Sequence, residues 1–352
     1  MNSYSEEYIG FGSMYGYMNL YTFRITEGGQ IYQIGTIDIP GGPRRVVTND
    51  KGLVLVVMSG LNGTFSVIKK EEDGQIHKIR DVDLTGQGHD IRFTKDGKYV
   101  IILHEINDNN DDFIDLGFSV YELNPDQTDI ILPCKLFYSI LDKNWVSHFD
   151  ITFDGLIIGI WTSNLATYKF IENGTDVEII DLQETIPADV LSNITITPDD
   201  KLALVTGDPP KDLLVFKIEE DNVIDKGFVE TSGKAGTHII VTPDSKVILE
   251  ILLYFELATF EILNGDTGNI VLRQEFGGID LGQGLGITPN GRFAVLGYDY
   301  SPGFGRLRVY QINEDRTVID LGVDYFTPGG VSHMAFCPQK TTSVETNWQM
   351  YK

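Results

Sequence analysis

Two cysteines, Cys134 and Cys337, are all the cross-linking capacity of this 352-residue chain, so no disulfide framework is expected and a reducing, cytoplasmic setting is. Basic residues are also scarce. Lys and Arg number 27 against 51 Asp and Glu, a formal charge of −24, which repels a phosphate backbone or an anionic bilayer and sets aside nucleic acid and membrane surfaces as partners. No stretch reaches the roughly 18 uninterrupted apolar residues of a membrane-spanning helix. Residues 1–10, with Glu6 and Glu7, lack the basic and apolar character of a secretion signal. Long amphipathic helical periods are missing, and so are a phosphate loop, a Gly-X-Ser-X-Gly elbow and a Cys-X-X-Cys pair.

What is present is repetition. A strand signal, a polar turn and a second apolar strand recur at 44–55, 90–101, 148–159, 193–204, 238–249 and 284–295, with a shortened copy at 333–340. Aligned on Thr48, Thr94, Thr152, Thr197, Thr242, Thr288 and Cys337, the copies lie roughly 45 to 50 residues apart with one longer interval, the period of a propeller or solenoid. A third strand signal comes after each copy and carries Phe23, Ile68, Tyr121, Tyr168, Phe216, Phe260 or Tyr310. The chain starts with the outer strands of one repeat and ends on a lone inner strand, 332–337. Pairing that strand with 8–13 completes a seventh blade and removes the open edges. Residues 1–352 are therefore expected to form one all-β domain, a seven-bladed β-propeller with four antiparallel strands per blade; the tail 339–352 has no assignment.

The inner strands split into two parities. Three and one residues before each anchor the side chains are large and apolar in all but one case, Arg45, as at Ile91, Phe149 and Phe336, and are expected to pack between blades. Four residues before it stand Arg44, Asp90, His148, Asn193, His238, Gly284 and His333, a mostly polar set that is tolerable only beside a wet axial channel. Three of the chain's six histidines fall in this ring, and His89 misses it by one residue, which a bulge would correct. Converging neutral imidazoles point to a divalent transition metal (iron, copper or zinc) on His148, His238 and His333, with His89 as a fourth ligand. Asp90 or Asp150 would act as base or orient a ring. Arg44 and Arg92 would clamp a substrate anion or pair with Asp90 and Asp150. Glu105 and Glu250 would support the ligands from behind. The expected activity is metal-assisted conversion of a small organic substrate in the channel.

Other readings of the same residues remain open. The ring is also explained as a repeat-derived polar plug satisfied by water and main-chain carbonyls, and the loop face as a scaffold for a protein partner. The polar segment 104–112 would cover the channel; its carboxylates suggest a calcium loop, but the glycine for the sharp turn is missing. Tyr15, Tyr17, Trp145, Trp161, Tyr298, Tyr300 and Phe304 would form an apolar wall for a ligand.

The segments Gly-Pro-Arg-Arg-Val-Val-Thr-Asn-Asp-Lys-Gly-Leu-Val-Leu-Val-Val at 42–57 and Ile-Thr-Pro-Asn-Gly-Arg-Phe-Ala-Val-Leu at 287–296 resemble repeats of the lactonase-like and YVTN seven-bladed propellers. The resemblance runs over nearly the whole chain and implies the fold. It also implies an alternative chemistry, a metal-free lactone hydrolase or cycloisomerase using a channel His with Arg, although no catalytic signature of that family is matched residue by residue. Axial histidines on seven blades are also similar in geometry to the four-histidine iron centre of carotenoid cleavage oxygenases, whose sequence motifs this chain lacks.

Overall fold

In this computed structural model seven four-stranded antiparallel sheets stand around one axis, and their innermost strands touch in a closed cycle. The structure describes residues 7–14, 17–58, 63–71, 75–107, 113–140, 146–161, 164–187, 191–209, 211–231, 233–253, 256–277, 282–301 and 304–339. Blades 1 to 6 span residues 43–83, 88–140, 146–187, 191–229, 236–276 and 282–327. Blade 7 combines the last strand, Val331–Gln339, with Glu7–Met14, Asn19–Ile25 and Ile31–Asp38. Ile9 pairs with Cys337 and Ser13 with His333, which closes the ring as the sequence predicts.

Burial depends on position within the blade. Second strands such as Leu53–Met58, Leu202–Gly207 and Val247–Leu252 are buried at every residue, because each face meets a neighbouring blade. An outermost strand such as Ile31–Asp38 is mostly exposed. The recurring third-strand residues, Phe23 through Tyr310, are all buried in the seams between sheets.

The turn after each inner strand explains why Thr recurs. Thr94 Oγ1 accepts the amide of Tyr99 (3.0 Å) and donates to Asp96 (2.6 Å); Thr242 does the same with Val247 (2.9 Å) and Asp244 (2.5 Å). In blade 1 that place belongs to Asn49, whose Oδ1 accepts the amides of Lys51 and Leu53. Asn49, not Thr48, opens the turn, because an amide oxygen makes the same local bonds as the hydroxyl. The register of blade 1 therefore shifts by one, and Arg45, not Arg44, belongs to the axial ring.

A second regularity sits at the other end of these strands. Pairing skips one residue in each: Pro43 faces Met58 and Arg45 faces Val57, Gly88 faces His104 and Asp90 faces Leu103, and the other five blades skip likewise. The skipped positions are Arg44, His89, Ser147, Ser192, Thr237, Gln283 and Ser332. A bulge bends the strand and re-aims the side chains beyond it. With both corrections the packing row reads Val46, Ile91, Phe149, Ile194, Ile239, Leu285 and Met334, all buried, and the axial row reads Arg45, Asp90, His148, Asn193, His238, Gly284 and His333. The glycine reflects crowding, since a Cβ on Gly284 would sit 2.5 Å from the Ser332 carbonyl oxygen.

Candidate functional site

Four axial residues form one network around Arg45. Its guanidinium makes a bidentate pair with Asp90, Nε to Oδ1 at 2.8 Å and Nη2 to Oδ2 at 3.1 Å. The same group meets His148 Nδ1 at 2.8 Å and His333 Nδ1 at 2.9 Å. His238 Nε2 lies 3.2 Å from His333 Nδ1, with the two ring centres 4.7 Å apart. Arginine has only donors, so both Nδ1 atoms it meets must be bare. His148 and His333 are thereby fixed as Nε2–H tautomers, and His238 donates its Nε2–H to His333.

Asp90 is completely buried. Besides Arg45 it accepts Arg92 Nη1 (2.5 Å) and the amides of Ile91 (2.8 Å) and Phe149 (3.2 Å). Against its burial, the two guanidinium groups hold its carboxyl well below the usual carboxylate range. A carboxylate so saturated binds its neighbours rather than a substrate proton. Arg92 spans from Asp90 toward Asp150, whose Oδ1 lies 3.5 Å from Arg92 Nε. Asp150 in turn accepts the amides of Ile151 and Ile196, tying blade 3 to blade 4.

On the strand-end side of this ring the channel opens into a cavity of about 390 Å³. Arg45, Arg92, Asp150, Asn193, Thr195, His238 and His333 supply its polar wall, and Val47, Phe93, Ile240 and Phe336 belong to its apolar one. Asp150 is the only carboxylate on the wall among the described residues. Arg92 Nη2 and His333 Nε2 make no protein hydrogen bond among the described residues, which leaves them for a ligand.

The structure thus brings His148, His238, His333, Asp90, Asp150 and Arg92 together at the axis and leaves other expected residues apart. Arg44 and His89 occupy bulge positions outside the ring. His89 is buried and turns to Glu105, Nε2 to Oε1 at 3.1 Å; Asp90 holds the axial place that His89 was expected to reach. Glu250 lies between blades 4 and 5, away from the ring. Tyr17 donates to the Pro328 carbonyl (2.6 Å), Tyr298 is buried in a blade core and Phe304 is exposed, so these three form no common wall. Tyr15, Trp145, the side chains of Trp161 and Tyr300, residues 108–112 and the tail beyond 339 lie outside the described residues. Arg45 is the residue that sequence reasoning missed; aligning the copies on the turn-forming Asn49 would have found it.

Solved structures share this architecture. A periplasmic gluconolactonase from Pseudomonas aeruginosa superposes with a TM-score of 0.75 at 13% identity, covering 94% of this chain and 99% of its own. A Bacteroides uniformis protein provisionally described as a 6-phosphogluconolactonase gives 0.75 at 16% identity, covering 94% and 99%. What they share with it is the seven-bladed propeller fold. Identity this low speaks for the fold alone. No family model matches the chain, and no curated protein matches it by sequence.

Within this propeller the imidazoles do not fit a metal. The Nδ1 atoms of His148 and His333 are both spent on a cation already there, the Arg45 guanidinium, and His238 Nε2 is spent on His333. Among the described residues no three His, Cys, Asp or Glu side chains are arranged around a metal position.

The network also sets an acid limit on stability. Burial first, then the Arg45 charge, lowers His148 from 6.5 to about 4 and His238 to about 3. A histidine with a depressed folded value stabilises fully above its unfolded value near 6.5, and that contribution is lost as pH falls toward 4. Urea midpoints should therefore fall between pH 7 and pH 4.5, by ~3 kcal/mol for His148 alone at the lower limit. A flat profile over that range would exclude neutral rings at the axis.

Proposed function

We propose that this protein opens the ring of a small lactone in the axial cavity. The reading rests on the cavity wall: two unspent donors, Arg92 Nη2 and His333 Nε2–H, share it with one carboxylate, Asp150, on a fold that gluconolactonases also use.

The two donors would hold the lactone carbonyl oxygen and stabilise the oxyanion that forms when water adds to the carbonyl carbon. A neutral imidazole can do this, since its Nε2–H donates a hydrogen bond to the developing oxyanion while the ring itself carries no charge. Asp150 would take the proton of the attacking water and return it to the ring oxygen as the acyl–oxygen bond breaks, so that a hydroxy acid leaves. Asn193 and Thr195 would bind hydroxyl groups, and Phe93 and Phe336 the apolar face of the ring.

The test is turnover of a panel of five- and six-membered aldonolactones, monitored by proton release, with chelator present throughout. Ring opening above the uncatalysed rate that Asp150→Asn abolishes is the expected result. Protein that opens none of the panel while capturing an unrelated polypeptide through its loops would replace this reading with that of a scaffold.

A further inference from the structure

Glu250 is a carboxylate at a position that the rest of the repeat keeps apolar. The matching positions of the other six blades, each paired with the packing residue of its inner strand, are Val56, Ile102, Gly159, Val205, Leu296 and Gly12. Glu250 is completely buried, and neither carboxylate oxygen has a hydrogen-bond partner. Its Oε1 lies 2.0 Å from where a Cβ on Gly236 would be, so the missing side chain makes the room it occupies. Thr206 of blade 4 borders the same space.

Next to Thr206, the Gly207 amide donates to the carbonyl of a second acid, Asp212, at 2.9 Å. Asp212, just before the third strand of blade 4, is also completely buried. Its Oδ2 accepts the amide (2.8 Å) and hydroxyl (2.5 Å) of Thr231, and its Oδ1 has no hydrogen-bond partner. Burial and the Asp212 charge together raise the Glu250 carboxyl well above the usual range.

We propose that Glu250 and Asp212 bind a hard divalent cation of the calcium class between blades 4 and 5. Three unpartnered carboxylate oxygens are the donor set such an ion takes, with main-chain carbonyls and water completing its shell. A proton on Glu250 would engage that group alone. A dication compensates both. The ion would staple one seam of the ring, and it has no part in the axial chemistry.

The experiment strips the full-length protein with EDTA and adds calcium, with magnesium and manganese in parallel. Calorimetric titration of the parent should show one calcium per chain. At one hundred times its dissociation constant, calcium should raise the melting temperature by about 4 °C. Glu250→Gln and Asp212→Asn should lose the binding, and affinity in the parent should weaken as pH falls and Glu250 takes up a proton. Absence of heat and of any thermal shift with all three cations in the parent overturns the site, as does calcium binding undiminished in Glu250→Gln. In the former case, a Glu250→Gln protein that outlasts the parent above pH 7 would identify the occupant as a proton.

Discussion

Arg45→Ala is expected to destabilise the propeller by about 3–5 kcal/mol and to give it an affinity for zinc that the parent lacks. Both effects come from the same vacancy. Arg45 is 6% exposed and Asp90 fully buried, so removing the guanidinium leaves a desolvated carboxylate with Arg92 as its one remaining cation. The same substitution frees His148 Nδ1 and leaves His333 Nδ1 with only the His238 Nε2–H, and both would then face the space the guanidinium had filled. Urea unfolding checks the first effect and elemental analysis of dialysed protein the second. Adding Asp90→Asn should recover much of the lost stability, since it removes the charge that was left alone. A stability loss below about 1 kcal/mol would mean that the network contributes little. Failure to retain zinc would mean that the rings are too rigidly held to converge.

Arg92→Ala should lower kcat/KM for lactone opening by 10²–10³-fold, with most of the loss in kcat. Arg92 lies one step along the channel from the histidine network, and its Nη2 is the unspent donor on a side chain otherwise anchored by Asp90 and Asp150. An interaction that strengthens as charge gathers on the carbonyl oxygen appears in kcat, whereas a simple substrate anchor appears in KM. Arg45 still pairs with Asp90 in this variant, so the ring should keep its shape, and a circular dichroism melt separates the two effects. Arg92→Lys, which keeps the charge but loses the fork, should retain only part of the activity. Turnover within threefold of the parent would remove Arg92 from the oxyanion site.

Particular residues explain why the fold could be read from sequence and the site only in part. Strand order, blade count and closure depend on hydrophobic period and turn chemistry, and each is repeated seven times, so one degraded copy does little harm. The axial row depends on single-residue register. Thr48 happened to precede the Asn49 that makes the turn, and that one coincidence put Arg44 at the axis in place of Arg45. His89 shows a different limit. A bulge was expected to bring it inward; every inner strand has that bulge, and it turns the skipped residue away and gives the axis to the next one. Convergence of His148, His238 and His333 was legible from symmetry. That the guanidinium in the ring would bond to the Nδ1 atoms of His148 and His333 was not, because the pairing of side chains within a ring has no periodic signature. The seam position of Glu250 was hidden for a related reason: its strand, Val247–Leu252, packs on both faces, so alternation does not say which blade a side chain will meet.

The strand that completes blade 7 is made long after the strand it pairs with, since Val331–Gln339 closes onto Glu7–Met14. Until Val331–Gln339 emerges, Glu7–Met14 has an unsatisfied edge and the axis lacks His333, so a nascent chain holds six blades' worth of apolar seams with nothing to lock them. Synthesis must therefore pass this strand before the molecule can acquire either its stability or its cavity. A chain cut short ahead of Val331 would be a client for chaperones rather than a weaker version of the same protein.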